Sequence, residues 1–311
     1  MISRIRTLAL VSLLLAVAAA PATALAADQE SFTRTEDVIY GRKYGTALTL
    51  DVIAPKENAN GAAVVWAVSG GWFSAHQSIN PLFVAEYLKR GYTVFAVVHG
   101  SQPKFTIPEV LEDMHRAVRF IRSRAEQYKI DPNRIGITGG SAGGHLSLMQ
   151  GTAGTDGKAD AQDPVDRFSS RVQAVGCFFP PTDFLNYGEP GEIALGNGIL
   201  AGFRAPFDFR EFDKSTNSFI TVTDESKRLE IGKLISPVYH VSSDDAPSLI
   251  IHGDADTLVP IQQAELIIEG FKKANVPCEL VVKKGAGHGW ADLGKDLTII
   301  ADWFDKYLAK K

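Results

Sequence analysis

The sequence predicts an α/β protein: a mostly parallel, eight-stranded sheet with helices on both faces. Three observations carry this. Short apolar runs alternate with segments of helical periodicity, as in strands joined by crossover helices. One strand-to-helix junction, Gly139–Gly140–Ser141–Ala142–Gly143, is built from small residues around a serine. Finally, 311 residues at 45% hydrophobic composition suffice for one large core.

Taken in order, residues 1–26 read as a secretory signal. Arg4 and Arg6 precede an apolar run from Leu8 to Ala20, and Ala24–Leu25–Ala26 forms an A-x-A cleavage site. Export to the periplasm or the medium is the expectation. Removal of the signal takes two basic residues, leaving 30 against 36 acidic and a net charge of −6 in place of −4. That balance argues against a nucleic-acid partner, which would need a basic stripe. No later run approaches the roughly 18 apolar residues of a membrane span. Residues 27–311 read as a single domain.

Strands are expected near 36–40, 47–53, 62–68, 92–98, 134–138, 172–179, 248–252 and 279–283, where β-branched and apolar residues cluster. Asn80, Pro81 and Gly91 bracket one helix as cap, first turn and stop. Val110, Met114, Ala117, Ile121 and Ala125 trace the buried face of the next, and Leu297, Ile300, Ala301, Phe304 and Leu308 that of the last. The alternation breaks once, over 184–235, where glycines mingle with Tyr187, Phe203, Phe207, Phe209, Phe212 and Phe219 and no clean strand is visible. An insertion at that point lies over the carboxyl end of the sheet, so it is expected to be a lid or pocket wall for an apolar or aromatic acyl group.

Ser141 is the candidate nucleophile. A serine hydroxyl must be lifted clear of the backbone to reach a base, and a sharp strand-to-helix turn does this if its flanking residues are small. Ile135 and Ile137 lead in as a buried strand, and Leu146, Leu148 and Met149 open an apolar helix.

Serine acyl transfer needs a histidine base and an acid that fixes its tautomer. Of seven histidines, His288 follows the last expected strand on a loop flanked by Gly287 and Gly289 and is the candidate base. His145 on the helix after the serine, His252 ahead of the acid loop, His115 on a helix face and His240 in a turn read as structural. Asp256, just before the helix that Pro260 begins, is preferred as the acid over Asp254 in the same loop. Asp183, after an earlier strand, is a third candidate and reads better as a turn carboxylate. The oxyanion donors are expected from the Ala142 N–H and from Gly70 and Gly71 after the third strand. Trp72 and Trp290 flank the oxyanion loop and the base and are expected in the substrate pocket. No metal and no cofactor is called for.

Together these motifs resemble the α/β-hydrolase carboxylesterases of the hormone-sensitive-lipase-like and bacterial feruloyl-esterase-like group, over nearly all of the chain after residue 35. The resemblance rests on Gly139–His145, the Ile130–Ile135 approach, His252–Pro260 and Gly287–Gly289. It implies a serine carboxylesterase that cleaves small or aromatic esters through an acyl-enzyme. A prolyl-oligopeptidase-like peptidase shares the fold and loops, but this chain supplies no propeller or extended cap; an inactive binding protein would usually have lost a triad member. One departure stands out. The family usually reads H-G-G-G-W in the oxyanion loop, whereas this chain reads Val68–Ser69–Gly70–Gly71–Trp72, so the histidine that orders the loop is missing.

Cys177 lies near the end of one expected strand and Cys278 precedes the start of another, with the 248–252 strand expected between them. Two strand spacings are near 10 Å, beyond the roughly 7 Å a disulfide tolerates between Cα atoms. Two free, mostly buried thiols are expected.

Overall fold

A computed structural model describes residues 31–310; the signal-sequence reading lies outside the described residues. Eight strands form the main sheet: β1 (Phe32–Lys43), β2 (Thr46–Pro55), β3 (Ala63–Ala67), β4 (Thr93–Val98), β5 (Ile135–Gly140), β6 (Ala174–Phe178), β9 (Ser248–Gly253) and β10 (Cys278–Lys283). All eight fall where the sequence places them. Their spatial order is β1-β2-β4-β3-β5-β6-β9-β10, with β2 antiparallel to both neighbours and every pair from β4 to β10 parallel.

Successive residues of the central strands feed two cores. Val65, Phe95, Ile137, Val175 and Ile250 face one, whereas Val64, Val94, Ala174 and Ile251 face the other. Strands buried on both faces are apolar throughout instead of alternating. The first core is closed by α2 (Ile107–Ser123), α4 (Ala142–Thr152) and α6 (Gln262–Lys273), the second by α1 (Ala85–Lys89) and α7 (Leu293–Tyr307). A short α3 (Ala125–Tyr128) follows α2. Thr106 and Glu109 form a capping box at the start of α2, and every residue assigned to the buried faces of α2 and α7 is buried. The helix expected between Asn80 and Gly91 is broken instead: a 3-10 turn over Pro81–Phe83, capped by Asn80 Oδ1 on the Leu82 N–H, precedes the short α1. Among the described residues no helix is long and apolar enough to cross a membrane.

The sheet's two edges differ. β1 is largely exposed and its pairing with β2 is interrupted between Thr35 and Val38 and between Ile39 and Gly41. β10, at the other end, is shorter and regular. β9 separates Cys177 on β6 from Cys278 on β10, and both thiols are free, Cys177 buried and Cys278 half-buried.

The 184–235 segment does contain strands. β7 (Arg210–Asp213) and β8 (Ser218–Thr221) form a small hairpin, followed by α5 (Glu225–Leu234). Its turn is held by Asp213, whose carboxylate accepts from Ser215 and Thr216. Both strands are exposed on both faces or nearly so, and such a hairpin has no buried side to impose the two-residue alternation that marks a strand in sequence.

Candidate active site

Ser141 stands between β5 and α4 at φ 55°, ψ −120°, a conformation unfavourable for a residue with a Cβ. The turn admits only small neighbours. A Cβ on Gly139 would stand 2.5 Å from the Gly143 carbonyl carbon, and one on Gly143 would stand 2.6 Å from the Ala67 oxygen. The Ser141 N–H donates to the Phe178 carbonyl, which ties the elbow to β6.

Ser141 Oγ lies 2.9 Å from His288 Nε2, and His288 Nδ1 lies 2.7 Å from Asp256 Oδ2. The three residues come from the ends of β5, β9 and β10, so the parallel register of these strands brings together side chains far apart in sequence. The other two acid candidates lie elsewhere. Asp254 accepts the Gly285 N–H, and Asp183 accepts from the Leu185 N–H and the Asn186 amide.

Asp256 is buried. Burial by itself would push its carboxyl up, but hydrogen bonds from His252 and His288, the charge His288 acquires, and the Val259 N–H outweigh it and hold the carboxyl well below the usual carboxylate range. Its Oδ1 accepts the N–H groups of Leu258 and Val259. His252, fully buried, bonds the Val259 carbonyl at 2.8 Å and approaches Asp256 Oδ2 at 3.5 Å, so it braces the acid loop.

At the oxyanion loop, Gly70 and Phe73 exchange two backbone hydrogen bonds around Gly71 and Trp72, both at positive φ. This is the geometry of a two-residue type I′ turn. Two expectations change. The Gly70 N–H is taken by the Phe73 carbonyl, whereas the N–H groups of Gly71 and Ala142 have no partner among the described residues. Trp72 is not a pocket residue but is 2% exposed. Its indole N–H donates to His145 Nδ1, and its ring packs on Phe184 and Phe207. Trp290 is half-buried; its N–H donates to Asp296 and its ring lies against Phe178 and Phe179, bracing the base loop.

Three contacts were not foreseen. Phe179, at φ 35°, sets its ring 4.5 Å from the His288 ring. Phe203, from the 184–235 segment, lies on the oxyanion turn, so close that a Cβ on Gly71 would stand 2.5 Å from its ring. His145 donates from Nε2 to the Ile235 carbonyl, linking the elbow helix to the end of the same segment. The aromatic run in 203–209 was the visible signal for Phe203; nothing in sequence marks Phe179.

Burial pushes His99, His115 and His145 each down to about 4, with Gly100 opposing it at His99, Arg119 adding to it at His115 and Ile235 opposing it at His145. Unfolded, each titrates near pH 6.5. The unfolded chain therefore binds more protons between about pH 6.5 and 4, and stability falls as the pH falls through that window. Asp113, pushed up to about 6 by burial against the pull of Lys43, works in the opposite sense and offsets part of this. The midpoint of thermal unfolding should drop between pH 7 and 4.5, and His145→Gln should flatten the slope. An unchanged slope in that variant would refute the assignment.

A sheet of this order, with a serine on a strained elbow after its fifth strand and a histidine after its last, defines the α/β-hydrolase class. Residues 50–271 match the BD-FAE family, and the chain belongs to it. It is similar to the probable carboxylic ester hydrolase LipM of Mycobacterium tuberculosis, 28% identical over 77% of this chain and 52% of that protein. The chain spans between half and three-fifths of the length of the first curated relatives it matches. Among solved structures it is similar to a truncated carbohydrate esterase from gut microbiota, with 28% identity, 91% and 99% of the two chains covered and a TM-score of 0.70. The butyrate-bound Est2 esterase of Thermogutta terrifontis, 24% identical with 89% and 96% covered and a TM-score of 0.66, shares the fold.

Proposed function

We propose that the protein is a serine carboxylesterase acting through an acyl-enzyme on small or aromatic carboxylic esters. The carrying observation is the unbroken hydrogen-bonded line from Ser141 through His288 to Asp256. In this reading, Ser141 Oγ attacks the ester carbonyl while its proton passes to His288 Nε2. The Gly71 and Ala142 N–H groups hold the oxyanion. His288 returns the proton to the leaving alkoxide, and a water activated by the same nitrogen then releases the acid. Asp256 keeps the His288 Nδ1 proton in place throughout.

Initial rates on p-nitrophenyl esters of rising chain length, beside methyl ferulate and a peptide anilide, test this. Ester turnover without anilide cleavage is expected; the reverse would favour a peptidase. The names of relatives, several of them carbohydrate or carboxylic ester hydrolases, support the ester reading. The sequence of residues 1–26 supports export, so the reading includes a periplasmic or extracellular site of action.

The 184–235 segment is read as the pocket wall, on the strength of Phe203 over Gly71 at the oxyanion turn. Trp290 is kept as the wall beside the base. Phe203→Ala should shift the ratio of kcat/KM for long or aromatic over acetyl esters by roughly tenfold towards the larger acyl group. An unchanged ratio would mean that the acyl chain lies elsewhere.

A further inference from the structure

The sequence leaves open what orders an oxyanion loop that has Val68 and Ser69 where the usual motif of the esterase group it resembles has histidine and glycine. The loop's neighbour in space is the end of β4, and the contacts between them are dense. The Val68 N–H donates to the Val97 carbonyl. The His99 N–H donates to Ser74 Oγ, whose own hydroxyl donates to the Val68 carbonyl. The Ser74 N–H donates to Ser101 Oγ. Gln102 donates twice, from its N–H to the Trp72 carbonyl and from its amide to the Gly71 carbonyl.

At the centre is the pair His99 and Ser69, with Nε2 to Oγ at 2.9 Å. Donor and acceptor can be assigned. His99 Nδ1 lies 2.8 Å from the Gly100 carbonyl, which can only accept, so Nδ1 carries the proton of this buried, neutral ring. Nε2 is then a lone pair and the Ser69 hydroxyl must donate to it. The ring is itself held from below. The Gly100 N–H donates to Asp113 Oδ2 at 2.8 Å, and Lys43 Nζ lies 2.6 Å from the same oxygen.

We propose that His99 is a positioning residue for hydrolysis, which through Ser69 fixes the peptide planes of the oxyanion turn in place of the absent motif histidine. The reasoning is geometric. Ser69 is bonded to the end of β4 at the residue where the turn begins, and Gln102 is bonded to it at Gly71 and Trp72, where it closes. The Gly71 N–H between these anchors keeps a single direction. A donor pre-aimed at the oxyanion needs no rearrangement when charge develops there, which is where its value lies. The inference rests on the esterase reading above.

The test compares Ser69→Ala, Ser69→Thr, His99→Leu and the double variant Ser69→Ala/His99→Leu on p-nitrophenyl acetate, with wild-type protein as reference. Ser69 is half-buried on a loop, so its variants report even where His99→Leu fails to fold. Ser69→Ala should lose about tenfold in kcat with KM within twofold, since one oxyanion donor removed outright costs roughly 10²–10³. Ser69→Thr, which keeps the hydroxyl, should restore most of that loss. The double variant, if folded, should fall no further than its worse parent, because both changes break one bond. Full kcat in Ser69→Ala, a loss confined to KM, or additive losses would overturn the proposal. If the esterase reading itself fails, the failure shows separately, as a wild-type protein that neither turns over the ester nor takes an organophosphate adduct at Ser141.

Discussion

Ser141→Ala should lower ester hydrolysis by orders of magnitude, to a residue of roughly 10³ over the uncatalysed rate that the oxyanion donors and binding supply. The elbow explains the size of the effect. The strained backbone at φ 55° exists to present one oxygen at 2.9 Å from an imidazole nitrogen, and no other hydroxyl is bonded to that nitrogen among the described residues. Intact mass after treatment with an organophosphate gives an independent readout: one adduct on the wild type, none on Ser141→Ala. An adduct on a different serine would remove Ser141 from the mechanism.

Asp256→Asn should be the second most damaging change, costing roughly 10⁴ in turnover, the scale of a wrong-tautomer defect in serine hydrolases. The substitution is a clean probe here. The asparagine oxygen can still accept the Leu258 and Val259 N–H groups that hold the loop, while its amide faces His288 Nδ1 and drives the ring proton to Nε2, where Ser141 needs a lone pair. Asp254→Asn and Asp183→Asn touch no member of the Ser141–His288–Asp256 line, Asp254 bonding the Gly285 N–H and Asp183 bonding Leu185, Asn186 and Tyr239, and should keep turnover within a few-fold of wild type. A larger loss in Asp183→Asn than in Asp256→Asn would move the acid to the end of β6.

The main sheet was readable in the sequence because its central parallel strands, β3 to β6 and β9, are buried on both faces and so stand out as apolar runs. Ser141 and Asp256 were readable because they follow such runs and because Pro260 marks the helix that Asp256 precedes, and His288 because Gly287 and Gly289 flank it after the last strand. What could not be read depended on direction. Trp72 was assigned to the pocket from its neighbours, but a positive φ at both Gly71 and Trp72 turns the indole into the core. The Gly70 N–H was assigned to the oxyanion from its place in a motif, while the pairing with Phe73 takes it. The His99–Ser69 bond joins residues 30 apart through β4 and the oxyanion turn, and neither residue type announces the other. The β7–β8 hairpin escaped because its strands bury almost nothing.

The two edges of the sheet carry a last consequence. An open edge offers unpaired backbone groups to any strand that meets it. β1 blunts its own edge with two interruptions of register and with Arg34, Glu36, Asp37, Arg42 and Lys43 along its length. Behind the β1–β2 hairpin lies β4, whose TVFAVV sequence is buried almost throughout. Without the hairpin, β4 would bare a regular, uncharged edge of apolar residues. Such an edge would invite pairing with a second chain, so the hairpin's charged strand guards the protein against self-association as well as filling its core.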